Sequence, residues 1–320
     1  MNQRFRIIMY HYVRELPNTR YPGIKGLLTT QFHAQVRFLK DSGFHFLSMN
    51  DVLEAAHGGK ALPENGILLT FDDGYIDHYT NVFPVLDEYN IPGFFSMPGK
   101  IIREKKLLDV NRIHFILAST PVEKIIPRLF RELDYYRGHE FDIPSNAQLY
   151  EKLAVANRFD DADTIFVKRV LQVELPPMLR DIITKHIFEL CIGVPEDRFS
   201  EELYLSMDQV RMMHRHGMTW GIHGYDHSWM NRMDADTLHK DISDALDVFE
   251  DVVDRNNWIC CYPYGSVSDD VIRCASSLGA VGGLSTEVRV ADLSKDNIFS
   301  LPRLDTNDFP PKSSNYRIIE

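Results

Sequence analysis

Two periods of hydrophobic and polar positions alternate along most of this chain. The run from Arg4 to Val13 reads as a strand, and Gln31 to Ser42 then shows helical spacing, with Phe32, Val36 and Leu39 on one face. There follow a strand over Phe44–Ser48, a short helix with Asn50 as its expected N-cap, a strand over Ile67–Phe71, a helix over Tyr75–Tyr89 and a strand over Phe94–Met97. Repeated β-then-α alternation predicts a parallel sheet and an α/β fold. After Pro98 strand signals become scarce. Leu107–Leu117, Pro121–Tyr136, Ser145–Asn157, Asp163–Val173 and Pro177–Leu190 all carry helical patterns, so residues 99–203 read as a helical insertion between two parts of one domain, 1–98 and 204–320. The alternation resumes with a helix capped by Ser206, strands over Met218–Ile222 and Trp258–Tyr262, helices over Ala235–Asp254 and Asp269–Leu278, and strand-like segments at Ala280–Leu284 and Phe299–Leu304.

Composition narrows the class of protein. With 320 residues, 44% hydrophobic and 25% charged, the chain can bury a full core. No apolar run approaches the ~18–20 residues that span a bilayer, and the first ten residues run straight into a strand pattern; a cytoplasmic location is expected. A net charge of −11 and the lack of clustered Lys and Arg argue against a nucleic-acid partner. Cys191, Cys260, Cys261 and Cys274 show no paired framework and read as reduced, structural thiols, with the neighbours 260 and 261 on opposite faces of a strand.

Three segments carry chemistry. In Ile67-Leu68-Leu69-Thr70-Phe71-Asp72-Asp73-Gly74, a strand ends in two adjacent carboxylates, which repel each other and need separate partners, a metal ion for one being the natural choice. The alternative is an Asx-type turn or helix cap. In His223-Gly224-Tyr225-Asp226-His227 two histidines stand four apart, on one face if a helical turn begins there; with one Asp they would give three protein ligands and leave positions open for water and substrate. Alone this spacing is weak among 13 histidines. Third, Cys261-Tyr262-Pro263-Tyr264-Gly265 breaks a strand end into a turn that could present backbone N–H groups. All three fall at strand C-terminal ends, where α/β barrels place functional residues.

Thr70-Phe71-Asp72-Asp73-Gly74, His223-Gly224-Tyr225-Asp226-His227 and Tyr262-Pro263-Tyr264-Gly265 together resemble the first three motifs of the polysaccharide deacetylases, the NodB-homology enzymes of carbohydrate esterase family 4. The opening Ile8-Met9-Tyr10-His11 and closing Leu301-Pro302-Arg303 resemble the poly-N-acetylglucosamine deacetylase branch. The resemblance covers roughly residues 1–98 and 204–305, and implies a deformed (β/α) barrel. It makes Asp72 the general base, and Asp73, His223 and His227 the ligands of one divalent ion, zinc in the first place, with cobalt, nickel or manganese as alternatives. The backbone N–H of Tyr264 would help hold an oxyanion.

Two departures stand out. Many relatives carry an arginine two residues before the motif's proline, where this chain has Cys261; Arg303 is the candidate replacement. Relatives also carry a late histidine that protonates the leaving amine, whereas the last histidine here is His239, which leaves His11 as a candidate acid. Tyr225 and Trp229 read equally as packing or as surfaces for a sugar, while Asp77, His78 and His114 read as helix-surface or cap residues rather than ligands. The function expected is removal of an N-acyl group, acetyl first, from a small or terminal amino sugar in glycan biosynthesis. The insertion would act as a lid, or alternatively mediate a homo-oligomer. Two rivals are a cyclic-amide or allantoin-type hydrolase on the same fold and a non-catalytic carbohydrate-binding or scaffold protein.

Overall fold

The computed structural model describes residues 3–157 and 160–319, which form two compact units. The larger comprises the residues up to Glu15, Gly26–Lys105 and those from Leu203 onward. Its centre, among the described residues, is a sheet of nine strands: β1 (Arg4–Tyr10), β2 (His45–Phe46), β3 (Gly66–Phe71), β4 (Gly93–Met97), β5 (Thr219–Ile222), β6 (Trp258–Cys261), β7 (Ala280–Leu284), β8 (Ala291–Asp292) and β9 (Leu304–Asp305). The order is β7-β6-β5-β4-β3-β1-β8, with β2 beside β3 and β9 beside β1. Every pairing is parallel except β1 with β8. The sheet is a curled, incomplete barrel with helices around it, as the βα alternation demands.

Burial explains why the strands are so apolar. Every residue of β3 and β4 is buried, as expected of parallel strands covered on both faces. That makes two polar residues in this pair conspicuous. Thr70 ties its hydroxyl to the Ile8 carbonyl at 2.8 Å, and Ser96 turns its hydroxyl to a carboxylate described below. Hydrogen bonds continue past the strand ends, from Asp72 N to Tyr10 O (3.0 Å) and from His223 N to Met97 O (3.3 Å). The segments after β1, β3, β5 and β6 therefore leave the sheet at one end.

The smaller unit comprises Leu16–Lys25 and Lys106–Glu202 and is helical. Ile113, Ile125, Leu129, Leu133, Leu179, Ile183 and Ile187 are all buried in its core. There too lies Arg112, whose guanidinium is held by Glu196 at 2.6 Å, Asp181 at 2.7 Å and Asp109 at 3.0 Å. A buried cation without those carboxylates would be costly. Its boundaries differ from the insertion expected at 99–203: the helix Gly99–Arg103 groups with the sheet, and Leu16–Lys25 joins the helical unit.

Local details depart from the sequence reading where tertiary contacts or capping outweigh periodicity. The second helix, Met49–Ala56, is capped by Ser48, which exchanges hydrogen bonds with Asp51, rather than by Asn50. The helix expected over Tyr75–Tyr89 contains a π-turn at His78–Val82 before continuing as Phe83–Glu88. Such turns are frequent beside functional sites. Helix Glu196–Leu203 has no counterpart in the periodicity, and Phe299–Leu304 is not one strand: a 3₁₀ turn over Ile298–Ser300 leads to an isolated bridge at Leu301 and the short β9.

Candidate metal centre

The two acids at the end of β3 part company. Asp73 takes a left-handed backbone conformation (φ 74°), followed by Gly74 at φ 66°, where a Cβ would come within 2.7 Å of Met97 Cβ. The chain thereby turns sharply, and the two carboxylates enter different environments.

Asp73 meets the histidines. His223 Nε2 lies 3.4 Å and His227 Nε2 3.3 Å from Asp73 Oδ1, and all three residues are buried. The two rings come together without the expected helical turn. Residues 223–227 form a loop in which Gly224 (φ 69°) and His227 (φ 55°) bend the chain back, so four-residue spacing works here through backbone strain. Asp241, buried on the helix Ala235–Val248, braces the bend by accepting from the N–H groups of Tyr225 and Asp226, both at 3.0 Å. Burial, opposed by those two bonds, pushes its carboxyl up to about 6.

These side chains fit a divalent ion. Asp73 Oδ1 is buried with no hydrogen-bond partner among the described residues, although two imidazole nitrogens face it. His223 Nδ1 lies 2.6 Å from the Cys261 carbonyl, which can only accept, so Nδ1 is assigned the hydrogen and Nε2 the lone pair. Ligands about 2.0–2.1 Å from one tetrahedral ion sit roughly 3.3–3.4 Å from each other, the separation seen here between Asp73 and each histidine. Burial opposes protonation of His223, but Asp73 outweighs it and holds the imidazole well above its ordinary value; burial dominates at His227, which is lowered. The pocket attracts positive charge.

Asp72 lies in a separate cradle, 1% exposed. Arg303, fully buried, places Nη2 2.7 Å from Oδ2 and donates through Nη1 to Oδ1 at 3.0 Å. Ser96 Oγ adds a donor to Oδ1 at 2.9 Å and Cys261 Sγ another at 3.2 Å. Burial alone would raise this carboxyl, but Arg303, then His223 and His11, more than offset it, so Asp72 stays ionised well below the usual range. Arg303 is itself fixed by Ser285 O at 2.8 Å and Thr70 Oγ1 at 3.2 Å. Sequence reading missed Ser96, though a lone hydroxyl in Phe94-Phe95-Ser96-Met97 was a signal. Cys261, which reads in the sequence as a structural thiol, meets Asp72 through its sulfur and His223 through its carbonyl.

The other candidates divide. His11 lies near enough to bear on the charges of Asp72, Asp73 and His227. Its backbone is gripped from the π-turn region, where His78 Nε2 bonds His11 O at 2.9 Å, Asn81 bonds Val13 O at 2.7 Å and Asp77 takes Val13 N at 3.1 Å. Asp77 and His78 are therefore buried braces, not helix-surface residues. Tyr264 holds φ 57°, uncommon for an aromatic residue, and stacks on Trp229 at 4.8 Å and edge-on to His227 at 4.7 Å. Tyr225 gives its hydroxyl to Glu104 at 2.8 Å and lies beneath Arg103.

The polysaccharide deacetylase family model matches residues 59–143 and 151–282, more than half the chain. The chain belongs to the polysaccharide deacetylase family. One relative of this deacetylase-family chain is the poly-β-1,6-N-acetyl-D-glucosamine N-deacetylase of Escherichia coli K12, 35% identical over 151 residues. That match covers 45% of this chain and 22% of the relative, so the chain spans about a fifth of that protein's length. Among solved structures, a Streptococcus pyogenes deacetylase, PplD, in complex with acetate superposes with a TM-score of 0.62 at 16% identity, covering 99% of this chain and 98% of that one. IcaB from Ammonifex degensii gives 0.57 at 15% identity, covering 99% and 96%. At such identities the likeness is one of fold, and it establishes the NodB-type architecture. Among the described residues no helix is long and apolar enough to cross a membrane.

Proposed function

We propose that this chain is a metal-dependent N-deacetylase acting on an N-acetylated amino sugar or amino-sugar glycan. The observation that carries the reading is the division of labour at β3: Asp73 Oδ1 faces two imidazole nitrogens, while Asp72 is held ionised by Arg303 and Ser96. A scaffold protein has no need of that separation. When bound by Asp73, His223 and His227, a divalent ion, zinc by ligand type, would lower the pKa of a water and polarise the acyl oxygen.

The chain's own groups supply the rest. Asp72, ionised and oriented by Arg303, accepts the proton of the attacking water. A carboxylate already so well satisfied is a weak proton sink, so its contribution lies in position and in being ionised. Tyr264, in its left-handed turn, would offer its backbone N–H to the developing oxyanion, and His11 would return a proton to the departing amine. The Escherichia coli relative named for poly-β-1,6-N-acetylglucosamine supports glucosamine as the sugar.

The test is acetate release from chelator-treated and zinc-restored protein, offered β-1,6- and β-1,4-linked N-acetylglucosamine oligomers, a nucleotide-linked N-acetyl sugar and allantoin. Zinc-dependent acetate release from an N-acetyl sugar is expected. Hydrolysis of the cyclic amide alone would replace this reading, and no turnover of any would return the chain to a binding role.

A further inference from the structure

The two oxygens of Asp73 have different partners. Oδ1 faces the imidazoles, whereas Oδ2 accepts the phenolic hydrogen of Tyr75 at 2.7 Å. Tyr75 is fully buried, and three contacts fix it. Its ring stacks on Tyr12 with centroids 4.0 Å apart and lies near-parallel to Tyr204 at 6.2 Å, while a β-bridge joins residues 75 and 204. The neighbouring backbone is tied by Leu205 N to Gly74 O at 2.9 Å. The hydroxyls of Tyr12 and Tyr75 are also hydrogen-bonded to each other. A carboxylate only accepts, so the single hydrogen of Tyr75 goes to Asp73 and its oxygen receives that of Tyr12. The result is a buried chain of donors, Tyr12 to Tyr75 to Asp73, in which each bond polarises the next.

A carboxylate binds an ion through one oxygen or both. Larger oxygen-preferring cations often take both, and zinc in a four-coordinate site takes one. We propose that Tyr75 is a positioning residue that occupies Oδ2, confines Asp73 to ligation through Oδ1 and so tunes the centre for a small tetrahedral ion over a larger, higher-coordinate one. This rests on the metal-centre reading above. Tyr75 immediately follows the motif Asp72-Asp73-Gly74, and nothing in its residue type alone suggests the role.

The experiment measures metal affinity, not turnover, on the full chain stripped by chelator. Zinc and manganese dissociation constants are determined by competition for wild type, Tyr75→Phe and Tyr12→Phe, and each is loaded with cobalt for its visible spectrum. Phe keeps the ring and its stacking, and the thermal midpoint of the metal-free variants checks the fold. For Tyr75→Phe, zinc binding is expected to weaken by about 10–100-fold, the usual cost of losing an outer partner of a ligand. Manganese binding should change by a smaller factor, so zinc-over-manganese selectivity falls, and the intense four-coordinate cobalt bands should weaken. Tyr12→Phe, which leaves the bond to Asp73 in place, should move zinc affinity the same way by a smaller factor, and supplies the test if Tyr75→Phe does not fold. Wild type that binds zinc, with both variants within twofold of it and unchanged cobalt spectra, overturns the proposal alone. Wild type that binds none of the three ions overturns the metal centre, and the proposal with it.

Discussion

Replacing Arg303 by Met is expected to cost the larger unit much of its stability, because it leaves a carboxylate buried without its counter-ion. Asp72 is 1% exposed and Arg303 0% exposed, and the guanidinium supplies one of the three donors to Oδ1 as well as the contact to Oδ2. Removing one partner of such a pair costs about 3–5 kcal/mol. With a urea slope of about 2 kcal/mol per molar, the midpoint should fall by roughly 1.5–2.5 M. Tryptophan fluorescence is the appropriate signal, since all three tryptophans, Trp220, Trp229 and Trp258, lie in the sheet-containing unit. Metal-free protein keeps ligation out of the measurement. The double variant Asp72→Asn with Arg303→Met removes both charges and should recover about 2–3 kcal/mol relative to Arg303→Met alone. The pH dependence has a definite sign. In wild type the folded Asp72 pKa is depressed, so the stabilisation is complete above the unfolded carboxylate value of about 3.9 and is lost as pH falls through the lower folded value. In Arg303→Met burial acts with less opposition, the carboxyl rises, and protonation relieves it. The gap between the two proteins should be widest near neutrality and narrow as pH falls from the raised carboxyl value of Arg303→Met toward the depressed wild-type one. A midpoint within about 0.3 M of wild type at pH 7, or a double variant as damaged as the sum of the singles, would refute the reasoning.

Three further outcomes follow from the same geometry. His223→Ala or His227→Ala should reduce bound zinc from about one ion per chain to a small fraction by elemental analysis; full occupancy in both variants would remove them as ligands. Ser96→Ala removes a donor to a buried carboxylate and should cost about 1.5–3 kcal/mol in urea unfolding, with an unaltered midpoint counting against the Asp72 cradle. Asp241, pushed up to about 6 in the fold, binds more protons folded than unfolded between about pH 4 and 6, so wild type should lose stability relative to non-titrating Asp241→Asn as pH rises across that window, by about 3 kcal/mol in total. A difference that stays flat with pH would contradict it.

The parallel sheet was legible because strands covered on both faces announce themselves as short apolar runs, and β3 and β4 did so. The Asp72-Asp73 pair was legible because adjacent charges at such a strand end demand separate partners. Less visible was how His223 and His227 converge. Spacing suggested a helical turn, but a loop with positive φ at Gly224 and His227 does the work, and a left-handed conformation at His has no sequence signature. Tyr264 shows the same limit more strongly. The braces lay beyond periodicity for a different reason: Ser96, Asp241 and Tyr75 matter through partners 24, 15 to 16 and two residues away, and only the folded chain selects those partners. Asp77 and His78 read as helix-surface or cap residues because their polarity carries no sign of the π-turn at which they are buried.

The central claim is that adjacent aspartates hold different jobs, and one paired measurement addresses it. Asp72→Asn and Asp73→Asn are purified alongside wild type, and bound zinc and acetate release from an N-acetylglucosamine oligomer are measured on the same samples. Asp72→Asn should keep its ion and lose about 10²–10⁴-fold in turnover, while Asp73→Asn should lose both. Equal loss of zinc in the two variants, or an active Asp72→Asn, would contradict the account.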